Sequence, residues 1–247
     1  MRGKTVRVKP ERVEAEYVEI PRDFYRLHQF VTFVGDVMFV NGMPFLLTLS
    51  RTLSFGTAEI LTSRTAPRLG RSLTRVMRLY ASRGFIMRCI MVDMKFEPVK
   101  EHVALVEINT NAAHEHMGEI EHFVRTVKEC TRCIVTSLPF RFFYPMIVIR
   151  LIYFVVSMLN VPVRTFAEGG ITNDYSPREI VTGKHFDMKR MCRTRFGEYV
   201  EASRDADVTN DMEQRTDACI AVGPADNRQG SVLCFKLSNA KVVTHWN

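Results

Sequence analysis

The sequence has no uninterrupted apolar run long enough to cross a bilayer. Its most apolar stretch, residues 142–161, carries Arg150 near its middle, and an uncompensated arginine at bilayer depth costs about 3 kcal/mol or more. This stretch therefore indicates a buried helix, and we expect no membrane partner. The first residues are rich in Lys and Arg and contain no apolar segment of signal-peptide length. We expect an intracellular protein, nuclear or cytoplasmic.

Cysteine is also scarce, with six in 247 residues. Cys130 and Cys133 form a single CxxC pair, whereas a structural zinc site needs four ligands. Buried, reduced thiols on a helix are therefore the favoured interpretation.

Acidic residues are absent between Glu59 and Asp93, and the whole chain carries a net charge of +7. That charge favours a polyanionic partner such as nucleic acid. Within the acid-free segment, apolar residues at helical spacing predict a helix over 68–83. A second row on this helix contains only arginines: Arg68, Arg71, Arg75 and Arg78. Such a row suits a phosphate-facing surface, and a solvated basic face is the alternative.

Apolar patterning predicts an α/β order for most of the chain. Strands are expected at 30–40, 45–49, 58–62, 85–92 and 103–108, and helices at 68–83, 112–136 and 143–160. Asn41-Gly42 is a strong hairpin signal between the first two strands. This order predicts a mixed sheet with flanking helices.

The pattern changes after Gly169-Gly170. Short strands are expected at 196–200, 218–222, 232–237 and 242–246, and turn residues separate the last three. They predict a small all-β module. The expected organisation is a basic N-terminal arm (1–24), a core domain (25–165), a linker (166–184) and the β module (185–247).

Three carboxylates stand at the ends of elements: Asp36, Asp93 and Glu121. An all-oxygen donor set suits Mg²⁺ or Mn²⁺. Two such ions, about 3.5–4 Å apart, can promote phosphodiester cleavage without a general-base side chain. Arg125, Lys128 and Arg132 share a helical face with Glu121. That face fits a DNA backbone over the metals, and an ordinary Glu121–Arg125 ion pair is the alternative.

Several segments resemble retroviral and retrotransposon integrases. The run from Gly118 to Lys128, GEIEHFVRTVK, resembles the family helix that reads roughly G-x-x-E-R-x-N-R-T-x-K, with the family's glutamate at Glu121. Asp93-Met94-Lys95-Phe96-Glu97 resembles the segment that carries the second metal ligand. Asp36-Val37-Met38-Phe39 and Leu47-Thr48-Leu49-Ser50-Arg51 resemble the first two strands of copia-type elements.

This resemblance implies an RNase H-like core followed by an SH3-like module. It implies that Asp36, Asp93 and Glu121 hold two Mg²⁺ or Mn²⁺ ions for end processing and strand transfer of DNA. It also implies DNA as partner and a homo-oligomer. The residues expected to contact DNA phosphates, which position DNA without reading its sequence, are Arg68, Arg71, Arg75, Arg78, Arg125, Lys128 and Arg132.

The chain departs from the family at several points. Only 28 residues separate Asp93 from Glu121, fewer than is usual, and His122 and Val124 replace the family's Arg and Asn. No His-His-Cys-Cys module precedes the core. Three alternatives therefore stay open: a nucleic-acid-binding remnant without catalysis, a nuclease of the ribonuclease H type, and an interaction protein for an acidic partner. The helix at 68–83 lacks the glutamate that the ribonuclease H type would place there.

Overall fold

The computed structural model describes residues 17–103, 106–111, 118–203, 212, 214–227 and 229–245. The helices are α1 (Arg22–His28), α2 (Ala66–Ala81), α3 (Gly118–Ser137), α4 (Pro145–Leu159), α5 (Pro177–Thr182) and α6 (Met188–Met191). The strands are β1 (Phe30–Val40), β2 (Met43–Ser50), β3 (Gly56–Ile60), β4 (Ile86–Asp93), β5 (Glu107–Asn111), β6 (Tyr199–Ser203), β7 (Thr216–Pro224), β8 (Val232–Lys236) and β9 (Val242–His245). Short 3₁₀ helices lie at Met94–His102 and Phe166–Glu168.

The first sheet has five strands in the order β3-β2-β1-β4-β5. Strand β1 is antiparallel to β2 and parallel to β4. The predicted mixed sheet with flanking helices is confirmed, and this architecture fits the RNase H-like α/β class. Strand β1 is the central strand and pairs with β4, which ends at Asp93.

Alternate residues of β1 enter two different apolar clusters, as the two-residue period of a strand requires. Val31 and Phe33 pack with Leu73 and Tyr80 of α2. Val34 and Met38 pack in the cluster that contains α3 and α4. Helix α2 therefore covers one face of the sheet, and helices α3 and α4 cover the other.

A contact among β3, α3 and the end of α4 fixes the second layer. The Asn160 side chain accepts a hydrogen bond from the Gly56 amide and donates one to the Gly56 carbonyl, both at 2.8 Å. A Cβ atom at Gly56 would lie 2.2 Å from the Phe123 ring. Only glycine therefore lets α3 approach β3 this closely.

The C-terminal strands form a separate antiparallel sheet in the order β6-β7-β8-β9. It packs on α4, where the Phe154 and Phe196 rings lie 5.4 Å apart. The predicted all-β module is confirmed. Arg178 of α5 is 6% exposed, pairs with Asp226 at 3.0 Å and donates to the Ser157 hydroxyl at 3.0 Å. One guanidinium thus links α5, α4 and the C-terminal sheet.

Some boundaries differ from those predicted. A 3₁₀ helix occupies 94–102, where the Asp93 side chain caps it by accepting a hydrogen bond from the Met94 amide. The following strand begins at Glu107 instead of 103. Helix α1 lies partly inside the predicted N-terminal arm, of which residues 1–16 fall outside the described part of the chain. Ile180 and Val181, in the predicted linker, are buried in the α2-side cluster. The domain limits stay a prediction.

Two further expectations concern membrane-spanning helices and cysteines. No described helix is long and apolar enough to cross a membrane, and α4 buries Ile147, Leu151 and Ile152 against the sheet and its neighbours. All six cysteines are free thiols, and the CxxC pair lies on α3. The expectation that both thiols of this pair are buried is wrong, because Cys133 is exposed.

Candidate metal centre at the carboxyl ends of the central strands

Asp36 and Asp93 occupy neighbouring positions on the two central parallel strands. Gly35 pairs with Val92, so the next residue of each strand lies at the same level. Parallel strands are about 4.8 Å apart. Asp36 is two residues from Val34 and from Met38 on β1, and Asp93 is two residues from Met91 on β4. Val34, Met38 and Met91 all pack in the cluster that contains α3 and α4. Both carboxylates therefore project from the same face of the sheet.

The two aspartates have the same local geometry. Asp36 Oδ1 accepts the Val37 amide, and Asp93 Oδ1 accepts the Met94 amide, each at 2.7 Å. Each side chain keeps a second oxygen that is not used in this way. The second oxygen of Asp93 pairs with Lys95 Nζ at 3.2 Å, and the Lys95 side chain is 88% exposed. Such exposed pairs contribute little and exchange readily.

Glu121 completes the acidic group from α3. It lies in the first turn of α3, beside the buried Ile120. The pKa of Asp36 is raised above its usual value, mainly because burial disfavours the charged form. The negative charges of Asp93 and Glu121 raise it further, whereas the Val37 amide and Lys95 oppose the shift. The three carboxylates thus share one electrostatic environment.

The donor chemistry of the two aspartates fits a hard divalent cation, since carboxylate oxygens are the ligands that such ions prefer. Asp36 and Asp93 are placed to share an ion. However, among the residues that the structure describes, no three His, Cys, Asp or Glu side chains are grouped closely enough to hold a metal ion. The structure therefore brings two aspartates together and leaves Glu121 nearby.

A second glutamate in the same turn of α3 is held elsewhere. Glu119 pairs with Arg51 at 2.7 Å, across 68 residues of sequence. This exposed pair joins the start of α3 to Arg51, which follows β2, and gives Glu119 a partner other than Asp36. From the sequence, Arg51 was predicted only as part of a strand motif, and Lys95 had no predicted role. The short Asp93–Glu121 spacing also allows Glu115 or Glu119 to be the third ligand, and Glu115 lies outside the described residues.

The predicted basic face of α3 is present. Arg125 and Arg132 are exposed, and Lys128 is half-buried. None of the three has an ion-pair partner among the described residues. Within the described residues, this face thus presents three cations that could meet an external anion.

The arginine row of α2 lies across the sheet from the acidic group, because α2 packs in the opposite cluster. Arg75 pairs with Glu59 of β3. The expectation of a row without acid partners is therefore wrong for Arg75. The β3–α2 connection returns the chain so that Glu59 lies beside the helix, which the linear sequence does not reveal. Arg71 and Arg78 have no acid partner within the described ranges.

Comparison with known proteins finds similarity at the level of structure. No family model matches the sequence, and no curated protein matches it. Among solved structures, the chain is similar to the crystal structure of the catalytic core domain of BIV integrase, with 61% of this chain aligned to 92% of that chain at 12% identity and a TM-score of 0.40.

Proposed function

We propose that this protein is a metal-dependent polynucleotidyl transferase of the integrase type that acts on DNA. The observation that supports this function best is the placement of Asp36 and Asp93 side by side on the central strands, on the sheet face that α3 covers. Asp36, Asp93 and Glu121 would hold two Mg²⁺ or Mn²⁺ ions. When bound, such ions activate the attacking oxygen and stabilise the leaving oxygen of a phosphodiester.

The remaining chemistry belongs to the chain's own residues. Asp36 and Asp93 each present one carboxylate oxygen that no backbone amide occupies. The rise of about 1.5 Å per residue places Arg125 about 6 Å, and Arg132 about 16 Å, along α3 from Glu121. Arg125, Lys128 and Arg132 would therefore bind successive phosphates and orient the DNA, without reading its sequence.

The proposed reaction needs no external energy source, because each P–O bond that breaks is replaced by a new one. Water attacks the phosphorus, the bond from phosphorus to the 3′-oxygen breaks, and a 3′-hydroxyl is released. That hydroxyl then attacks a second phosphodiester, so that one P–O bond forms as another breaks. The proposed ligands supply no general base, and two-metal catalysis requires none.

The test combines metal binding with DNA nicking. Mg²⁺ or Mn²⁺ should raise the melting temperature of the wild-type protein by an amount that grows with ion concentration. Asp93→Asn should remove this effect and the nicking of duplex DNA, while DNA affinity persists. Glu129→Gln, which alters an exposed carboxylate on the same helix, is the control and should behave as wild type.

A second candidate is a nucleic-acid-binding remnant with the same fold. The observation that favours it is the lack of a three-ligand group among the described residues. Duplex binding without metal-dependent stabilisation or nicking would support this candidate and contradict the catalytic proposal.

The finer family assignment belongs to the same proposal. A copia-type element, an SH3-like identity for the β6–β9 sheet and a homo-oligomeric state rest on the sequence resemblance. Sedimentation of the purified chain tests the last of these, and a monomer at all accessible concentrations would contradict it.

A further inference from the structure

A cleft of about 520 Å³ lies along α2, on the side of the molecule opposite the acidic group. Arg71, Arg75 and Arg78 line it, together with Thr74 of the same helix and His102 at the end of the 3₁₀ helix. Residues three and four apart on a helix lie on one face. The three guanidinium groups therefore converge on a single concave surface.

The charges in this cleft are largely uncompensated. Glu59 pairs with Arg75 and also interacts with Arg68. No acidic side chain lines the cleft, and Arg71 and Arg78 have no acid partner in the described part of the chain. Of the three arginines that line the cleft, only Arg75 therefore has an acidic partner in the described part of the chain. Guanidinium groups bind phosphate oxygens in bidentate fashion, and they are weakly hydrated, which favours such contacts.

The position of the cleft determines whether one DNA duplex can contact both the cleft and the acidic group. Helix α2 packs on one face of the sheet, and α3 packs on the other. A sheet and a helix on each side lie between the two surfaces, and each helix layer is about 10 Å thick. DNA bound along α3 therefore does not reach Arg71 or Arg78.

We propose that the α2 cleft is a second phosphate site, which holds a separate segment of nucleic-acid backbone while the α3 face holds the first. The nature of the partner as DNA rests on the proposed function. The site reads no sequence, because only backbone-binding groups line it. One chain would then bring two duplexes together.

The experiment is a two-duplex capture assay without divalent metal, so that no strand is cut. Protein is bound to an immobilised duplex, and capture of a second, fluorescent duplex is measured against salt concentration. Arg71→Gln/Arg78→Gln should reduce this capture at least about tenfold and lower its log–log salt slope by about 1.8, or 0.9 for each lost contact. Lys189→Gln/Lys241→Gln removes the same charge from exposed positions of the C-terminal part and should leave capture unchanged.

Arg71 and Arg78 are both exposed, so the double variant should fold, and an unchanged melting temperature would show that it does. Capture that persists in this variant would overturn the proposal, because oligomers or another surface would then join the duplexes. Wild-type protein that holds one duplex only would overturn it too, as would capture of a polyglutamate peptide in place of DNA. In each case metal-dependent nicking of the first duplex would still support the proposed function. A protein that binds no duplex would contradict both proposals.

Discussion

Replacing Asp36 by Asn should stabilise the metal-free protein at neutral pH. Asparagine keeps the shape of the side chain and the oxygen that accepts the Val37 amide. It removes one of the charges that face Asp93 and Glu121. Asp36 is a cleaner choice than Asp93, because Asp93 also pairs with Lys95, and that attraction would be lost with the repulsion.

The size of the effect follows from the strand spacing. Two unit charges about 4.8 Å apart repel by about 0.9 kcal/mol in water and by about 3.5 kcal/mol at an effective dielectric constant of 20. The Asp93 side chain is 39% exposed, which favours the lower value, so we expect about 1 kcal/mol. In a chain of this size that gain raises the melting temperature by about 2–4 °C.

The raised pKa of Asp36 determines how the effect of Asp36→Asn on stability changes with pH. Burial and the neighbouring carboxylates raise the folded-state pKa of Asp36 above 3.8. Its contribution to stability is therefore greatest below about pH 4 and decreases as pH rises through the folded pKa. The advantage of Asp36→Asn should appear at pH 7 and vanish at pH 3. Added Mg²⁺ should stabilise the wild-type protein and leave the variant unchanged.

Urea unfolding at pH 7 and pH 3, with and without Mg²⁺, measures these differences. A variant that is less stable than wild type at pH 7 without metal would refute the reasoning, because it would mean that Asp36 has a net favourable partner. A Mg²⁺ effect of equal size in both proteins would place the ion elsewhere.

Three further outcomes are expected. Asn160→Ala should lower the free energy of unfolding in urea by about 2–4 kcal/mol, since it leaves both polar groups of Gly56 without their side-chain partner. A loss below about 0.5 kcal/mol in the same assay would contradict this role. A double-mutant cycle with Arg51→Gln and Glu119→Gln, measured by urea unfolding, should give a coupling of only about 0.2–1 kcal/mol, as for other exposed pairs; a coupling above about 2 kcal/mol would contradict this. Cys133, which is exposed, should react with a thiol reagent at pH 8, whereas burial raises the pKa of Cys234 to about 11 and should keep it unreactive; equal rates by mass spectrometry would contradict this.

The parts of the fold that were predicted correctly depend on local patterns. Asn41 and Gly42 both have positive φ, 49° and 75°, as a two-residue hairpin turn requires. The hairpin sets the register of β1 and β2 and, with it, the position of Asp36. The long amphipathic helix α2 was predictable for the same reason, because its apolar spacing is contained within the helix.

The candidate site was predictable in its residues and not in its geometry. A motif indicates Asp93 and Glu121, but the distance between them depends on how α3 is anchored. The packing of Phe123 on Gly56 and the pairing of Arg51 with Glu119 both join residues more than 60 positions apart. The pairing of Arg75 with Glu59 is likewise a consequence of topology. Contacts of this kind have no periodic signature, so sequence patterns do not reveal them.

The buried guanidinium of Arg178 has a consequence for how this chain can be divided. Besides Ser157 and Asp226, it lies 4.9 Å from the centre of the Phe186 ring. A chain cut between α5 and the C-terminal sheet would separate this cation from Asp226, and a foreign sheet that buried Arg178 without a counter-charge would be costly. Recombinant fragments and evolutionary exchanges of the C-terminal sheet would therefore succeed only when the partner of Arg178 travels with it or when position 178 loses its charge.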